Sequence, residues 1–272
     1  MRSLCYLAAA LAALGCAHRL SGADLDRVAR PAFLARIDDE AGPRSRVFRD
    51  DGAYRPKLKK LDVKEADRLL KLKLVKGASR FEVSERLRAA TLAGLSGEPW
   101  KDTVDPAAVA SALQSFLVEE VPANAPDYER LRQLGADAVV ELVVEDYGMR
   151  SAGGKAGVYV RGHARMFLLP SGDEIWSRSF EADDLQQGRP HLDPFAVGKD
   201  PSLYKERMAA LLDGIAQGCS KDLSPQDRRA KAPRPTADEA FAPADDVNRA
   251  GKELPPPEDE LPPGELPEPD SK

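Results

Sequence analysis

The chain has 272 residues, of which 40 are lysine or arginine and 45 are aspartate or glutamate, giving a net charge of −5 at neutral pH. With 42% apolar residues, 31% charged residues and three cysteines, the composition excludes a collagen, a disulfide-rich scaffold and a polytopic membrane protein. The mild acidity argues against nucleic acid as the main partner, because duplex binding needs clustered lysine and arginine.

The amino terminus has the order of charged and apolar residues that is typical of a signal peptide. Arg2 precedes an uncharged apolar run at residues 4–14. This run is too short for a membrane-spanning helix, which needs about 20 residues, but it has the length of a signal-peptide core. We therefore expect a signal peptide at residues 1–15.

Residues 13–16, Ala-Leu-Gly-Cys, resemble the lipobox of bacterial lipoproteins. The resemblance implies that Cys16 carries the lipid and becomes the first residue of the mature chain, which binds the membrane through this anchor. In that family an aspartate after the cysteine marks retention in the inner membrane, so Ala17 favours the outer membrane, facing the periplasm. The alternative is a secretory signal cut elsewhere, with Cys16 incidental.

The segment between the anchor and the first clear helix contains patterns of a linker, of strands and of a helix. Residues 16–24 are expected to be a linker, and the apolar residues at 31–37 predict a short strand. Residues 62–70 favour a helix, whereas residues 70–74 alternate leucine and lysine as in a charged edge strand. A patch that binds an anionic surface is the functional alternative for these lysines.

Three helices are predicted next from their caps and apolar spacing. Ser84 is the expected N-cap of the first, which runs to Leu95, and Asp105-Pro106 begins the second. The third spans residues 127–134 and ends at Gly135, where a left-handed backbone is cheapest for glycine. The expected apolar positions are Leu87, Thr91 and Leu95 in the first helix and Val109, Leu113, Phe116 and Leu117 in the second.

From residue 136 to residue 180 the apolar period changes to two, which predicts a three-stranded antiparallel meander with one apolar face. The predicted strands are residues 138–147, 158–169 and 174–180, with a glycine-rich turn at 151–157 between the first two. On the polar face, Glu141 and Glu145 are expected to lie opposite Arg161 and Arg165 as exposed cross-strand pairs.

The last predicted helix begins at Asp200-Pro201 and contains Cys219, the one cysteine left once Cys5 leaves with the signal peptide and Cys16 is lipidated. One apolar stripe is expected, made of Tyr204, Met208, Leu211, Leu212, Ile215 and Cys219. This favours a buried thiol over the two alternatives, a nucleophile and an intermolecular disulfide.

The carboxyl terminus differs from the rest of the chain. Residues 233–272 contain eleven acidic and four basic residues, a net charge of −7, together with ten of the 22 prolines. Such a segment buries too little apolar surface to fold. We expect a disordered acidic tail at residues 224–272, either solubilising or offering a docking strip.

Together these elements predict an α+β fold, with a globular domain at residues 25–223. The three-stranded meander is expected either alone or extended by one or two earlier strands, with the helices packed on one face of the sheet. The stretch 134–140, Leu-Gly-Ala-Asp-Ala-Val-Val, and the ending at 171–176, Ser-Gly-Asp-Glu-Ile-Trp, resemble a unit of bacterial envelope lipoproteins. The families are curli secretion-channel lipoproteins, activator lipoproteins of penicillin-binding proteins and the amino-terminal domain of the Tol translocation protein, and the resemblance implies a fold more than a function.

No group of residues typical of an active site is recognisable in the sequence. We therefore expect that the protein is not an enzyme and has no catalytic residue, no cofactor and no metal site. His18, His163 and His191 lack metal-ligand spacing, and Glu141 and Glu145 are expected to stay ionised beside arginine. The sequence therefore favours a non-enzymatic accessory or scaffold protein in envelope assembly, transport or secretion, bound to an envelope protein. The alternatives are a periplasmic hydrolase, with His163 as the residue to test, and a pore-forming lipoprotein that inserts the hairpin at 139–169.

Overall fold

A computed structural model describes residues 19–118 and 128–224, without the side chains of residues 113–118. The predicted signal peptide, Cys16, His18 and all but the first residue of the acidic tail lie outside the described residues, as do the side chains of Leu113, Phe116 and Leu117. The helices are α1 (Gly22–Leu25), α2 (Val47–Asp50), α3 (Val63–Gly77), α4 (Arg80–Ala93), α5 (Pro106–Val118), α6 (Tyr128–Gln133), α7 (Pro194–Lys199) and α8 (Ser202–Asp222). Short 3-10 helices lie at Gly52–Leu58 and Trp100–Asp102.

The strands form one mixed sheet of five. They are β1 (Pro31–Ile37), β2 (Arg44–Ser45), β3 (Ala138–Ala152), β4 (Lys155–Leu168) and β5 (Glu174–Asp183). The order is β1-β3-β4-β5, with β2 also paired to β3; β1 and β2 run parallel to β3, and the other pairs are antiparallel. The predicted α+β class is confirmed, and the meander is extended by two earlier strands.

The strands of the meander are longer than predicted. β3 continues to Ala152 and β4 begins at Lys155, so the turn contains only Gly153 and Gly154, both with positive φ. The predicted turn at 151–157 is therefore wrong. The reason is pairing: β2 binds β3 at Gly148 and Met149, so this end of β3 has partners on both sides.

The predicted start of α5 and the predicted end of α6 are confirmed, whereas the predicted start of α4 is wrong. The Asp105 carboxylate accepts a hydrogen bond from the Ala107 amide (3.2 Å) at the start of α5, and Gly135 has φ +84° after α6, as predicted. The first of the three helices starts five residues earlier than expected. Ser79, not Ser84, caps α4, through a reciprocal capping box with Glu82.

The predicted edge strand at residues 70–74 is wrong, because this segment is the middle of α3. The Asp62 carboxylate accepts a hydrogen bond from the Lys64 amide (2.9 Å) and starts the helix. Leu70 and Leu74 are both buried, as expected for positions four residues apart on one helix face, whereas Leu72 is exposed. The leucine–lysine alternation is thus a coincidence within a helical pattern.

The larger core lies between the sheet and helices α3, α4 and α8. Alternate residues of β3, including Val140, Leu142 and Val144, belong to the same core as the predicted stripe of α8, all six members of which are buried. Cys219 is among them, and burial raises the pKa of its thiol to about 11. The prediction of a buried thiol is confirmed.

A second, smaller apolar cluster lies on the opposite face of the sheet, where Val139 and Phe167 pack against Val109 of α5 and Leu131 of α6. Because side chains alternate along a strand, this face also carries the polar residues of β3 and β4. Helices α5 and α6 cover the end of this face that holds the apolar cluster. Among the described residues, no helix has the length and apolar character needed to cross a membrane.

Candidate functional site: an arginine-rich face of the sheet

The polar residues of the meander meet in a register that differs from the predicted one at a single point. Glu141 lies opposite Arg165, as predicted. A β-bulge between Val144 and Asp146 then adds one residue to β3, so that Asp146, not Glu145, lies opposite Arg161. The predicted pairing of Glu145 with an arginine is therefore wrong, and Glu145 contacts His163 instead.

Glu141 forms the first of three buried carboxylate centres on this face. Its two oxygens accept hydrogen bonds from Arg36 Nε (2.7 Å) and Arg165 Nε (2.5 Å), and its side chain is 0% exposed. The expectation of an exposed pair is wrong for Glu141. The alternation of the strand does not predict this burial, because it depends on α6. Tyr128, the first residue of α6, packs its ring against Phe167, beside the pair of Glu141 and Arg165.

The Glu141 carboxylate is excluded from water, which strengthens its two ion pairs. Burial raises the pKa of the neighbouring Tyr128 hydroxyl to about 12, and the charge on Glu141 adds to this shift. A carboxylate in such a place is stable only while both oxygens are paired. Glu141 therefore holds Arg36 and Arg165 in fixed orientations, with the guanidinium groups partly open to solvent.

Asp146 forms the second centre, and here arginines outnumber carboxylates. Its buried oxygens lie 3.3 Å from Arg44 Nε, 3.4 Å from Arg46 Nη2 and 3.7 Å from Arg161 Nη2. The Tyr159 hydroxyl donates a further hydrogen bond to Oδ1 (3.2 Å). Three guanidinium groups around one carboxylate leave a local excess of two positive charges.

The position of Arg44 depends on Gly148 in β3. Gly148 has φ +151°, and a Cβ built there would lie 1.9 Å from the Arg44 carbonyl oxygen. Only glycine lets β2 approach β3 this closely, because any side chain would push the two backbones apart. Gly148 thus places Arg44 beside Asp146.

Asp183 forms the third centre, at the end of β5. Its carboxylate pairs with Arg150 and accepts a hydrogen bond from the Leu185 amide (2.7 Å). The Arg150 guanidinium also lies over the Tyr159 ring, 6.0 Å from its centroid. We call the whole surface the arginine face; its members are Arg36, Arg44, Arg46, Arg150, Arg161 and Arg165 with the buried carboxylates of Glu141, Asp146 and Asp183.

Such an arrangement can bind anions. A guanidinium has five N–H donors, and one or two bonds to a buried carboxylate leave the others available for a carboxylate or phosphate of a ligand. The side chain of Arg161 is 58% exposed and those of Arg44 and Arg46 are 39% and 36% exposed. Arg161 and Arg44 are the two most accessible arginines of the face, and Arg46 and Arg150 are equally exposed at 36%.

His163 lies on the same face, next to the bulge. Its Nδ1 is 2.6 Å from Glu145 Oε1, and the exposed Ser179 is its partner in the register with β5. A catalytic triad needs a hydrogen bond between nucleophile and base, and within the described ranges Ser179 and His163 form none. The pair of Glu145 and His163 is the one feature on this face that favours the enzyme alternative.

The remaining sequence candidates are dispersed. His191 accepts a hydrogen bond from the Ala156 amide through Nδ1 (2.9 Å) and stacks on Tyr54. It therefore lies beside Ala156 at the start of β4, seven residues before His163 along that strand. In the ranges that the structure describes, no three His, Cys, Asp or Glu side chains are grouped to hold a metal ion. The proposed pore-forming hairpin is β3 and β4, which form the centre of the sheet and carry much of the core.

Sequence reasoning missed several members of the arginine face: Arg36, Arg44, Arg46, Arg150, Asp146 and Asp183. Arg36 and Arg44 reach the site through parallel pairing of β1 and β2 with β3, across about 100 residues of chain. No local pattern encodes that pairing. The bulge that turns Asp146 inward is also unmarked in the sequence.

Comparison with known proteins adds little to this description. No protein-family model matches the chain, and no curated protein matches it. Among solved structures, the hypothetical protein CT253 from Chlamydia trachomatis is 11% identical, with a TM-score of 0.33, covering 71% of this chain and 99% of its own. The PelC dodecamer from Paraburkholderia phytofirmans is 15% identical, with a TM-score of 0.29, covering 78% of this chain and 98% of its own.

Proposed function

We propose that this chain is a lipid-anchored protein of the cell envelope that acts by binding a partner protein, without catalysis. Cys16 carries the lipid anchor after removal of residues 1–15, and the anchor holds the protein at the outer membrane, facing the periplasm. The arginine face is the binding surface. The partner presents carboxylates to it, as an acidic segment of an envelope assembly, transport or secretion protein does.

The observation that carries this proposal is the group of three arginines around Asp146. A surface arginine usually loses side-chain entropy when it binds a ligand, which weakens binding. Arg44, Arg46 and Arg161 already contact a buried carboxylate, so part of their side-chain entropy is lost on folding and is not lost again on binding. Glu181 lies opposite Arg161 in the register but contacts Gln186 (3.4 Å), which leaves Arg161 open toward solvent.

The lipid anchor is tested by the mass of the mature amino-terminal peptide, isolated from membranes of cells that make the full chain. We expect a peptide that begins at Cys16 and carries acyl chains, because two or three chains anchor a protein firmly where one does not. Cys16→Ala should lose the acyl chains. Cys5→Ala, in the same apolar run, is the matched control and should be lipidated like the wild type.

A mature chain that begins elsewhere, or identical behaviour of the Cys5 and Cys16 variants, would contradict the anchor. The enzyme alternative has a separate test in His163→Ala. This variant removes the pair with Glu145, 2.6 Å away, on an accessible surface, so it should fold normally and keep the biological activity of the wild type. Loss of activity in a folded His163→Ala protein that still binds the partner would favour catalysis.

A further inference from the structure

Helix α3 has an apolar outer surface that nothing in the described part of the protein covers. Its inner face packs into the core through Ala66, Leu70 and Leu74. On its outer face, Leu69, Leu72 and Val75 are 40%, 49% and 46% exposed. Their spacing of three residues places them along one side of the helix. Helix α3 therefore has a second apolar side, which faces solvent. An exposed apolar surface of this kind indicates a binding site.

Two further exposed apolar side chains lie just beyond the ends of α3. Leu61, just before the helix, is 40% exposed, and Phe81, at the start of α4, is 73% exposed. Phe81 is the most exposed of the large apolar side chains in the described ranges. We call these five residues, Leu61, Leu69, Leu72, Val75 and Phe81, the α3 strip.

Basic side chains border the α3 strip on both sides. Residues 59–80 contain eight lysines and arginines and three acidic residues, a net charge of +5. Of the acidic residues, Asp67 is buried and accepts hydrogen bonds from Ser45 and the Phe48 amide, and Glu65 pairs with Arg68. Lys64, Lys71, Lys73 and Lys76 form no ion pair with any residue that the structure describes.

We propose that the α3 strip binds the surface of an anionic lipid bilayer. Apolar side chains along one side of a helix, bordered by lysines, are the features of helices that lie in the membrane interface with their apolar side among the acyl chains. Each lysine near the headgroups adds electrostatic attraction to anionic lipids. A protein partner would need an acidic groove of matching length, whereas a bilayer presents negative charge above a continuous apolar layer.

The position of α3 in the fold suits a second point of membrane contact. The Asp137 carboxylate, just before β3, holds the amides of Ala29 and Arg30, so the amino-terminal segment lies at the start of β3. Asp67 of α3 bonds Ser45 of β2, which pairs with β3 near its other end. The strand spans about 35 Å between these two points, so contacts at both of them would fix the orientation of the domain on a membrane. The α3 contact does not depend on lipidation of Cys16.

The experiment places a tryptophan in the α3 strip of the full chain and measures its quenching by lipids with brominated acyl chains. The natural Trp100 and Trp176 are buried and give a constant background. In vesicles of equal parts phosphatidylcholine and phosphatidylglycerol, Leu72→Trp should lose about half of its added emission. Gln133→Trp, exposed on α6, is the matched control and should not be quenched. The readout is local to the substituted position, so insertion of another segment does not produce it.

The charge requirement is tested in the Leu72→Trp background. Lys71→Ala and Lys76→Ala should each lower partition into the anionic vesicles about fivefold, and Lys221→Ala on α8 should not change it. Absence of quenching at position 72 would overturn the proposal and favour a protein partner for the α3 strip. Equal quenching in vesicles of phosphatidylcholine alone, or equal quenching at positions 72 and 133, would also overturn it.

Discussion

Replacing Glu141 by alanine should lower the free energy of unfolding by about 2–4 kcal/mol. The Glu141 side chain is fully buried and each of its oxygens pairs with a different arginine. Its removal leaves Arg36 and Arg165 beside an apolar cluster without their common partner. The expected loss is smaller than for a fully buried ion pair, because the two guanidinium groups are partly solvated. Urea denaturation followed by circular dichroism measures it.

Glu145→Ala is the matched control for this prediction. Glu145 lies four residues further along the same strand and also contacts a basic side chain, but 43% of its side chain is exposed. The alanine variant should lose less than about 1 kcal/mol. If the two variants unfold at the same urea concentration, Glu141 does not organise the arginine face.

Gly148→Ala should lower the free energy of unfolding by about 2–4 kcal/mol and disrupt the centre at Asp146. Part of the loss is the cost of a positive φ for a residue with a Cβ, and the rest is the clash of that Cβ with the Arg44 carbonyl oxygen. Relief of the clash requires β2 to move away from β3. Arg44 would then leave Asp146, so binding of an acidic partner should weaken together with stability.

Gly153→Ala separates the two contributions. Gly153 has φ +58°, but a Cβ there would meet nothing within 4 Å. This variant should lose only about 1 kcal/mol, the cost of the backbone conformation. Equal losses for Gly148→Ala and Gly153→Ala would mean that close packing of β2 against β3 is not required.

The parts of the fold that local chemistry specifies could be predicted from the sequence. Asp105-Pro106 and Gly135 mark helix ends by capping, and the alternation after residue 138 marks the strands of the meander. The stripe of α8 followed from its helical period. Prediction failed at residues 70–74, where alternating leucine and lysine suit a strand as well as a helix that has apolar residues on both sides.

The candidate site was predictable only in part, because several of its contacts join residues that are far apart in the sequence. The pairing of Glu141 with Arg165 follows from strand register alone. The burial of Glu141 depends on α6 and on Arg36. Asp146 takes the place opposite Arg161 that was predicted for Glu145, because the bulge adds one residue to β3. Interactions across about 100 residues of chain and a bulge leave no periodic trace in the sequence.

The most direct test of the proposed function is site-specific photocrosslinking in cells, with a photoreactive residue at Ser179, which is exposed on β5 opposite His163 and on the same face as Arg161. We expect a single envelope protein to be captured and identified by mass spectrometry. Capture should be lost in Cys16→Ala, which lacks the anchor, and in the double variant Arg44→Glu and Arg161→Glu. It should persist in Arg132→Glu, which changes an exposed arginine of α6. If nothing is captured from the wild type, or if all four proteins capture the same molecules, the chain does not act as an anchored binding protein through its arginine face.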